Sequence, residues 1–280
     1  MKDKLTELIR ETEDLALYEN KYHKFIFSLK ELMNFYDKIL PPLGINEVYF
    51  ISLSARNKYL TDEEKKELGL GRTEMFARKI VREQNLEKFI KKIREYEKNA
   101  AAYLTKYGYP IPSKCITIYL NINPSNVLKA YNEFSKTMAE YYMELGMRAS
   151  SKKNIDEVSK RINKIDVLLM NCIQKNQGIK HYIDIDFDIP KESFYLVKAF
   201  VNMLKEKGVE YFVIDTKSGY HVLLKRNTIT YNFNEDIEKI IHKGFQDGLQ
   251  DFEIINNKNL MIPLPGTLQG GHPVRVMKEV

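Results

Sequence analysis

The chain has 280 residues, of which 44% are hydrophobic and 29% charged, a balance typical of a globular protein with a buried core. Its formal net charge of +6 permits a nucleic-acid partner without requiring one. No apolar run is long enough to cross a bilayer and the first ten residues are too charged for a secretory signal, so we expect a soluble intracellular protein with no membrane partner.

Cysteine and histidine are sparse and dispersed. Cys115 and Cys172 are the only cysteines, no CxxC sequence occurs, and the five histidines are scattered along the chain. This pattern excludes a disulfide framework and argues against zinc. A divalent metal would therefore be held by carboxylates, which favours Mg²⁺ or Mn²⁺.

The first part of the chain predicts a helical segment followed by an α/β module. Residues 1–40 carry apolar residues at helical spacing, and the sequence Pro41-Pro42-Leu43-Gly44 interrupts that pattern. We predict a helical segment at 1–40 and a module at 41–176, with a basic turn that contains Arg56 and Lys58. Its predicted elements are a strand at 48–53, mainly helix over 62–106, a strand at 115–122, and helices at 125–145 and 154–174.

The last part predicts a β-α-β-β-α-β order. This order is that of the split ferredoxin-like or RNA-recognition-motif (RRM) topology, in which the first strand lies between the third and the fourth. We therefore predict a mixed α/β (α+β) protein whose RRM-like module, residues 177–280, packs on the preceding one. The predicted elements are a strand at 181–188, a helix at 191–206, strands at 211–215 and 220–225, a helix at 234–247 and a strand at 251–262.

Carboxylates alternate with apolar residues in the first of these strands, His181-Tyr182-Ile183-Asp184-Ile185-Asp186-Phe187-Asp188. Alternation places Asp184 and Asp186 on one face and the apolar residues between them on the other. Two adjacent carboxylates repel each other, and a bound cation would relieve that repulsion. An exposed polar strand face is the alternative, and for Asp188 we favour a helix-capping role. A DxD pattern alone is weak, since glycosyltransferases and nucleases share it.

A predicted hairpin around Gly219 carries groups suited to phosphate. Lys217 and Ser218 offer donors at the turn, while His221 and Lys225 share one face of the following strand. If that face is the open one, a phosphate-bearing substrate could bridge a metal and these donors. The alternative for His221 is a structural histidine.

The last predicted strand carries acids and leads into a proline- and glycine-rich loop. Asp251 and Glu253 share a face of a strand that neighbours the first, so either could complete a three-carboxylate metal site. Asp215 is a third candidate, but it ends a strand that the topology places at the sheet edge. The loop Pro263–His272 could approach phosphate or template, or be a plain surface turn.

Together the sequences YIDIDFD, SGYHVLL and the strand leading to LPGTLQGG resemble the three motifs of the archaeo-eukaryotic primase superfamily, the primase-polymerases, over roughly residues 180–275. The segment FISLSARNKY resembles, more loosely, phage, plasmid and CRISPR-associated members. The resemblance implies template-directed synthesis of primers or DNA from nucleoside triphosphates with two divalent ions. It matches Asp184 and Asp186 to the metal-binding DxD, Ser218 and His221 to the triphosphate motif, and Asp251 to the third acid.

On this reading Lys217, Ser218, His221 and Lys225 would contact the triphosphate. The expected partners are a single-stranded DNA template, a primer strand and NTP or dNTP. Arg56 and Lys58 would follow the template.

The sequence also departs from the resemblance. Primase small subunits usually carry a basic residue before the loop proline and a histidine after it, where this chain has Leu264 and Gln269. His272 is then a candidate nucleotide contact and Arg275 a template contact. The zinc-binding insertion of many cellular primases is missing, which favours the mobile-element branch. Further domains or replication partners are compatible with the early end of the chain.

Two other hypotheses stay open at this point. One is a different metal enzyme, a nuclease or a glycosyltransferase. The other is a non-catalytic nucleic-acid-binding module of RRM-like fold, although such modules place base-stacking aromatic residues where this chain has aspartates.

Overall fold

The structure is a computed structural model that describes residues 24–82, 84–99, 103–147, 152–256 and 261–277. The predicted mixed α/β class is confirmed, because helices pack against two antiparallel sheets. The helices are α1 (Leu29–Lys38), α2 (Asp62–Leu68), α3 (Leu86–Asn99), α4 (Val127–Met147), α5 (Lys152–Ile162), α6 (Ile165–Lys175), α7 (Phe194–Glu206) and α8 (Asn234–Gln246). The strands are β1 (Glu47–Arg56), β2 (Thr73–Val81), β3 (Ile116–Asn121), β4 (Ser125–Asn126), β5 (Tyr182–Asp188), β6 (Tyr211–Thr216), β7 (Gly219–Lys225), β8 (Glu253–Asn256), β9 (Met261–Pro263), β10 (Leu268–Gln269), β11 (His272–Pro273) and β12 (Arg275–Met277).

The helix predicted over residues 1–40 is described only in part. Helix α1 begins after Ser28, whose side chain accepts a hydrogen bond from the backbone N–H of Glu31, and it ends before the Pro41–Gly44 break. The prediction is wrong for residues 24–28, which are not helical because Ile26 forms a β-bridge with Thr267. The part of the prediction before residue 24 lies outside the described residues. Within the described ranges, no helix is both long and apolar enough to cross a membrane.

The first sheet has the strand order β11-β10-β3-β1-β2, with β4 paired to β1 and β9 to β3. Helices α1 and α3 cover one face, where Phe35 and Phe89 pack against Tyr49, Ile51 and Leu53 of β1. The opposite face of β1 changes along the strand. Val48 and Phe50 pack under α4 and α6, whereas the positions that follow in the same alternation are Ser52, Ser54 and Arg56.

Strand β2 corrects the sequence interpretation of residues 62–106 as mainly helix. Residues Thr73–Val81 pair antiparallel with β1 along almost its whole length, with a register shift between Leu53 and Ser54. The charged residues of this segment hide its alternation, and pairing with β1 decides its conformation. Likewise, the single helix predicted at 154–174 is two helices, α5 and α6, separated at residues 163–164.

The second sheet has the order β12-β6-β7-β5-β8, so β5 lies between β7 and β8. Helices α7 and α8 cover one face, on which Ile185 and Phe187 pack against Phe200 and Ile240. The neighbours of β5 are the ones expected from the element order. Assignment of this module to the RRM-like folds stays a prediction.

The strand predicted over 251–262 divides between the two sheets. Strand β8 pairs with β5, whereas β9 pairs with β3 of the first sheet. Ile262 and Leu264 are fully buried in the core of the first sheet, which explains why this apolar run leaves the second sheet. Strand β12 then returns to pair with β6, so the residues predicted as one module at 177–280 contribute to both sheets.

Candidate active site

Three carboxylates project from one face of β5. Asp184, Asp186 and Asp188 occupy alternate positions, and the apolar residues between them face the core beneath α7 and α8. Their exposure increases along the strand: the side chain of Asp184 is fully buried, that of Asp186 is 32% exposed and that of Asp188 is 50% exposed. The end of β5 is therefore where this acidic row opens to solvent.

His221 lies directly beside this row. It is paired with Asp186 across β5 and β7, and its Nδ1 is 3.0 Å from Oδ2 of Asp184, while its Nε2 is 3.7 Å from Oδ1 of Asp186. Burial alone would lower the pKa of His221, but attraction to Asp184 and Asp186 outweighs it and raises this pKa to about 9. The imidazole is therefore a cation at neutral pH and compensates part of the carboxylate charge.

Asp186 is held in an environment that disfavours its charge. Burial is the largest cause and raises its pKa, the negative charges of Asp184 and Asp188 add to this effect, and His221 and Lys58 oppose it. The negative charges of Asp184, Asp186 and Asp188 would therefore stabilise a further cation bound beside Asp186.

Two basic residues from the end of β1 face these carboxylates. Lys58 Nζ donates a hydrogen bond of 2.9 Å to Ser218 Oγ and lies 3.7 Å from Oδ2 of Asp188. Arg56 Nη1 donates a 2.8 Å hydrogen bond to the hydroxyl of Tyr119 on β3. A cavity of about 330 Å³ lies between the two sheets, and we call it the cleft. Its lining includes Arg56, Lys58, Tyr119, Asp186, Asp188, Ser218 and His221.

The floor of the cleft carries polar groups that lack partners. Ser52 is fully buried and lines the cleft, yet its Oγ makes no hydrogen bond within the described part of the chain. The same holds for Nε of Arg56. Buried polar groups are normally satisfied, so this floor has hydrogen-bonding capacity that a polar ligand could use.

Gly219 allows the β6–β7 hairpin to approach the end of β5. Its φ is 157°, and a Cβ at this position would collide with the carbonyl oxygen of Phe187. A glycine here brings Ser218 beside Asp188, so both residues line the cleft. The turn is closed by the Thr216 hydroxyl, which donates to the Gly219 carbonyl oxygen.

The structure does not bring Asp251 to the other two predicted metal ligands. Asp251 precedes β8, is exposed, and lines a neighbouring cavity of about 650 Å³ together with Glu253. The residue of β8 that pairs with Asp186 is Ile255, and Asp251 is four residues away from it, which corresponds to roughly 13 Å along a strand. Glu253 pairs with Asp188 and shares its face.

Asp215, the other candidate third acid, lies outside the cleft. It forms an ion pair with Lys191, which also donates to the carbonyl oxygens of Thr216 and Gly219. His272 Nε2 is 3.5 Å from the second carboxylate oxygen, and burial lowers the pKa of this histidine.

The two predicted nucleotide contacts Lys217 and Lys225 lie in different places, and neither lines the cleft. Lys217 lines the neighbouring cavity. Its backbone N–H donates to Oε1 of Gln269, a residue of the cleft lining, and its Nζ donates to the Gly270 carbonyl oxygen. Lys225 lies at the far end of β7, paired with Glu210 at 2.7 Å. Buried Leu223 separates it from His221 along the strand, so Lys225 is not beside the aspartates.

His272 and Arg275, the predicted loop contacts, also lie away from the cleft. Arg275 lies on β12, which is the edge strand in place of the predicted β6, and it pairs in register with Asp215. Its guanidinium stands 5.4 Å from the ring centroid of Phe27. Neither residue lines the cleft.

The sequence interpretation missed Asp188 as a site residue. The capping role favoured for it is wrong, because neither the 3₁₀ turn Lys191–Ser193 nor α7 has a side-chain cap, and Asp188 faces Lys58 instead. The period-two pattern 184, 186, 188 could have found it. The pattern 52, 54, 56 in β1 carries the same kind of signal for the floor of the cleft.

The donor set suits a hard divalent cation that shares its ligands with a substrate. Mg²⁺ is often held by one or two carboxylates, with waters and phosphate oxygens completing its coordination. Asp186 opens into the cleft beside the buried Asp184, which fits that arrangement. Within the described ranges, no three histidine, cysteine or carboxylate side chains are grouped closely enough to form a complete metal site.

Comparison with protein-family models, with curated proteins and with solved structures gave no match to this chain.

Proposed function

We propose that this protein is a template-directed nucleotidyltransferase, a DNA primase-polymerase that joins nucleoside triphosphates on single-stranded DNA. The observation that supports it most is the convergence of residues from distant parts of the sequence in one cleft. Asp186, Ser218 and His221 line one side of this cleft, and Arg56 and Lys58 line the other. Carboxylates facing basic groups across a cavity suit a metal-bound polyphosphate.

In this proposal Asp184 and Asp186 hold Mg²⁺ or Mn²⁺. Two bound ions would activate the 3′-hydroxyl of the primer and stabilise the pyrophosphate leaving group. His221 holds Asp184 in place and limits repulsion within the acidic row. Because Asp188 extends that row into the cleft, we favour it over Asp251 as the additional carboxylate near the ions.

Phosphate recognition falls to hydroxyl and basic groups from both sides of the cleft. Lys58 and Ser218 already contact each other at 2.9 Å, and both can turn to phosphate oxygens of the incoming nucleotide. Arg56 stands beside them, close enough to the carboxylates to contact the nucleotide or the primer end rather than distant template. The unpartnered Ser52 hydroxyl on the floor of the cleft can accept a hydrogen bond from the nucleoside or donate one to it.

The two other hypotheses, a different metal enzyme and a binding-only module, explain fewer features of this site. A nuclease could employ the same carboxylates, so the assay must also report degradation. A binding-only module would have to accommodate phosphate next to the half-exposed Asp188, where the facing cation, Lys58, is already engaged by that carboxylate at 3.7 Å. Nucleoside triphosphates are intracellular compounds, so the proposal implies a cytoplasmic protein.

The experiment is incorporation of labelled NTP and dNTP on single-stranded template, with and without primer, under Mg²⁺ and Mn²⁺. The proposal expects products whose sequence follows the template. Products that ignore the template, shortened strands, or no incorporation with any nucleotide and either metal would contradict it.

A further inference from the structure

A separate cavity of about 610 Å³ lies at the other end of β5. The end of α1, the loop before β5 and the end of β7 form its walls; we call it the α1–β5 pocket. Tyr182 and Leu223 are buried in the core between this pocket and the cleft. Tyr182 is four residues from Asp186, or roughly 13 Å along the strand, so the two cavities are distinct.

The pocket has an excess of positive charge. Lys38, Lys180, Lys225 and Arg226 line it, and Asp37 is the one carboxylate among its described lining residues. Lys225 is neutralised by Glu210, which lies outside the lining. The other three cations form no ion pair with any described residue, so their charge is available to an anion.

His181 adds a polar group whose hydrogen-bonding capacity is unused. Its backbone is fixed, because its N–H donates to Asn123 Oδ1 and its carbonyl oxygen accepts from the N–H of Arg226. Its Nε2 is buried and makes no hydrogen bond within the described chain. An imidazole nitrogen without a partner is unusual inside a protein, and His181 is one of the residues that line the pocket.

The part of the lining that follows Lys38 along the chain is apolar. Ile39, Leu40 and Pro41 are buried at the end of α1, and the exposed Pro42 extends this wall to the rim. The volume is within the range of 300–1,000 Å³ that is usual for small-ligand sites. A ligand with both a phosphate and a flat apolar part matches these walls better than inorganic phosphate alone.

We propose that the α1–β5 pocket binds the phosphate of a nucleotide, either free or as part of a nucleic-acid strand. Lys38, Lys180 and Arg226 hold the phosphate, and the apolar wall contacts the nucleoside. This site does not depend on the nucleotidyltransferase proposal, since it uses none of the residues of the cleft.

The test is fluorescence anisotropy on the full chain in EDTA, which removes the metal-dependent binding expected in the cleft. The probes are a labelled mononucleotide and a labelled 12-nucleotide single-stranded DNA. The test variants are Lys180→Ala with Arg226→Ala, and separately Lys38→Ala. The control Lys129→Ala with Lys136→Ala removes the same charge as the double variant from the exposed surface of α4.

The double variant should weaken binding by roughly a hundredfold, since each charge-assisted contact contributes about tenfold, and Lys38→Ala by about tenfold. Equal loss for both probes identifies free nucleotide as a sufficient ligand. Loss for the strand alone, with the slope of log K against log salt reduced by about 1.4, identifies backbone phosphates. Wild-type protein that binds neither probe, or test variants that stay within twofold of the control, would overturn the proposal.

Discussion

Asp186 and Asp251 show most clearly where the structure differs from the prediction made from the sequence. Asp186 lies within β5 and Asp251 just before β8, and the resemblance assigns both to the metal. In the structure Asp186 is partly buried beside Asp184 and His221, whereas Asp251 is exposed in a neighbouring cavity. The register between β5 and β8 places Ile255 rather than an acid opposite Asp186. This register cannot be read from the sequence of either strand alone.

We expect Asp186→Asn to reduce nucleotide incorporation by about a hundredfold or more, because loss of a metal ligand costs several kcal/mol in the transition state. Asp251→Asn should retain activity within about threefold. Steady-state incorporation rates measure both, with circular dichroism to verify folding. Strong loss in Asp251→Asn with near-normal activity in Asp186→Asn would return the third-acid assignment to Asp251.

His221 should make the stability of the metal-free protein depend on pH. Its pKa in the fold is about 9, above the ordinary value of 6.5, so its stabilising contribution is complete below pH 6.5 and is lost as pH rises through about 9. The raised pKa of Asp186 acts in the same direction at lower pH, because its ionisation is disfavoured in the fold.

Urea unfolding in EDTA at pH 6.5 and pH 9 measures this dependence. Wild-type protein should lose stability between the two values, and His221→Gln should flatten the difference. The exposed His242 on α8 provides the matched control, His242→Gln, which should behave as wild type. An undiminished pH dependence in His221→Gln would contradict the assigned role of this histidine.

At the scale of elements, the sequence predicts β5, α7, β6, β7 and α8 well. These segments combine clear period-two or helical patterns with glycine and proline breaks, so local signals suffice. Strand β2 and the β8–β9 division were missed for a different reason. Their conformation depends on pairing with β1 and β3, distant in sequence, which local periodicity does not report.

The residues of the cleft also divide into those that local pattern predicts and those whose position depends on strand pairing. Asp186 and His221 meet there because antiparallel pairing of β5 and β7 fixes their register. The same pairing explains why Lys225 is not in the cleft. Alternation predicts the face of Lys225 correctly, but because β5 and β7 are antiparallel, Lys225 lies at the opposite end of the pair from Asp188.

Gly219→Ala should destabilise the protein by about 1–3 kcal/mol, because the left-handed backbone is strained for alanine and the new Cβ meets the Phe187 carbonyl oxygen. Gly146→Ala, in helix α4 with open space around the added methyl group, should instead stabilise by about 0.5–1 kcal/mol. Chemical denaturation of both variants gives the free energies. A neutral Gly219→Ala would mean that the hairpin does not need its close approach to β5.

Across the whole fold, the core cluster of the first sheet also contains residues of the second sheet. Tyr182, Ile214 and Leu223 of the second sheet pack in the same cluster as the helices beneath the first. The hydroxyl of Tyr182 donates a 2.8 Å hydrogen bond to the carbonyl oxygen of Ile39 at the end of α1. We therefore expect the sheets to unfold together.

Tyr182→Phe tests this expectation by removing the donor and leaving a buried carbonyl unsatisfied, at a cost of about 1–3 kcal/mol. The control is Tyr49→Phe, which removes a similar bond to Pro41 within the first sheet and its helices. Both variants should show one cooperative transition at lower denaturant concentration. Two separate transitions in either variant would contradict a shared core.

We propose that the cleft between the sheets binds a metal-bound nucleoside triphosphate. A crystal structure with Mn²⁺ and a non-hydrolysable nucleoside triphosphate, in which anomalous scattering locates the ion, tests this binding. We expect Mn²⁺ in contact with Asp186 and triphosphate oxygens in contact with Ser218 and Lys58. An ion held by Asp251 and Glu253 in the neighbouring cavity, with the cleft empty of nucleotide, would contradict it.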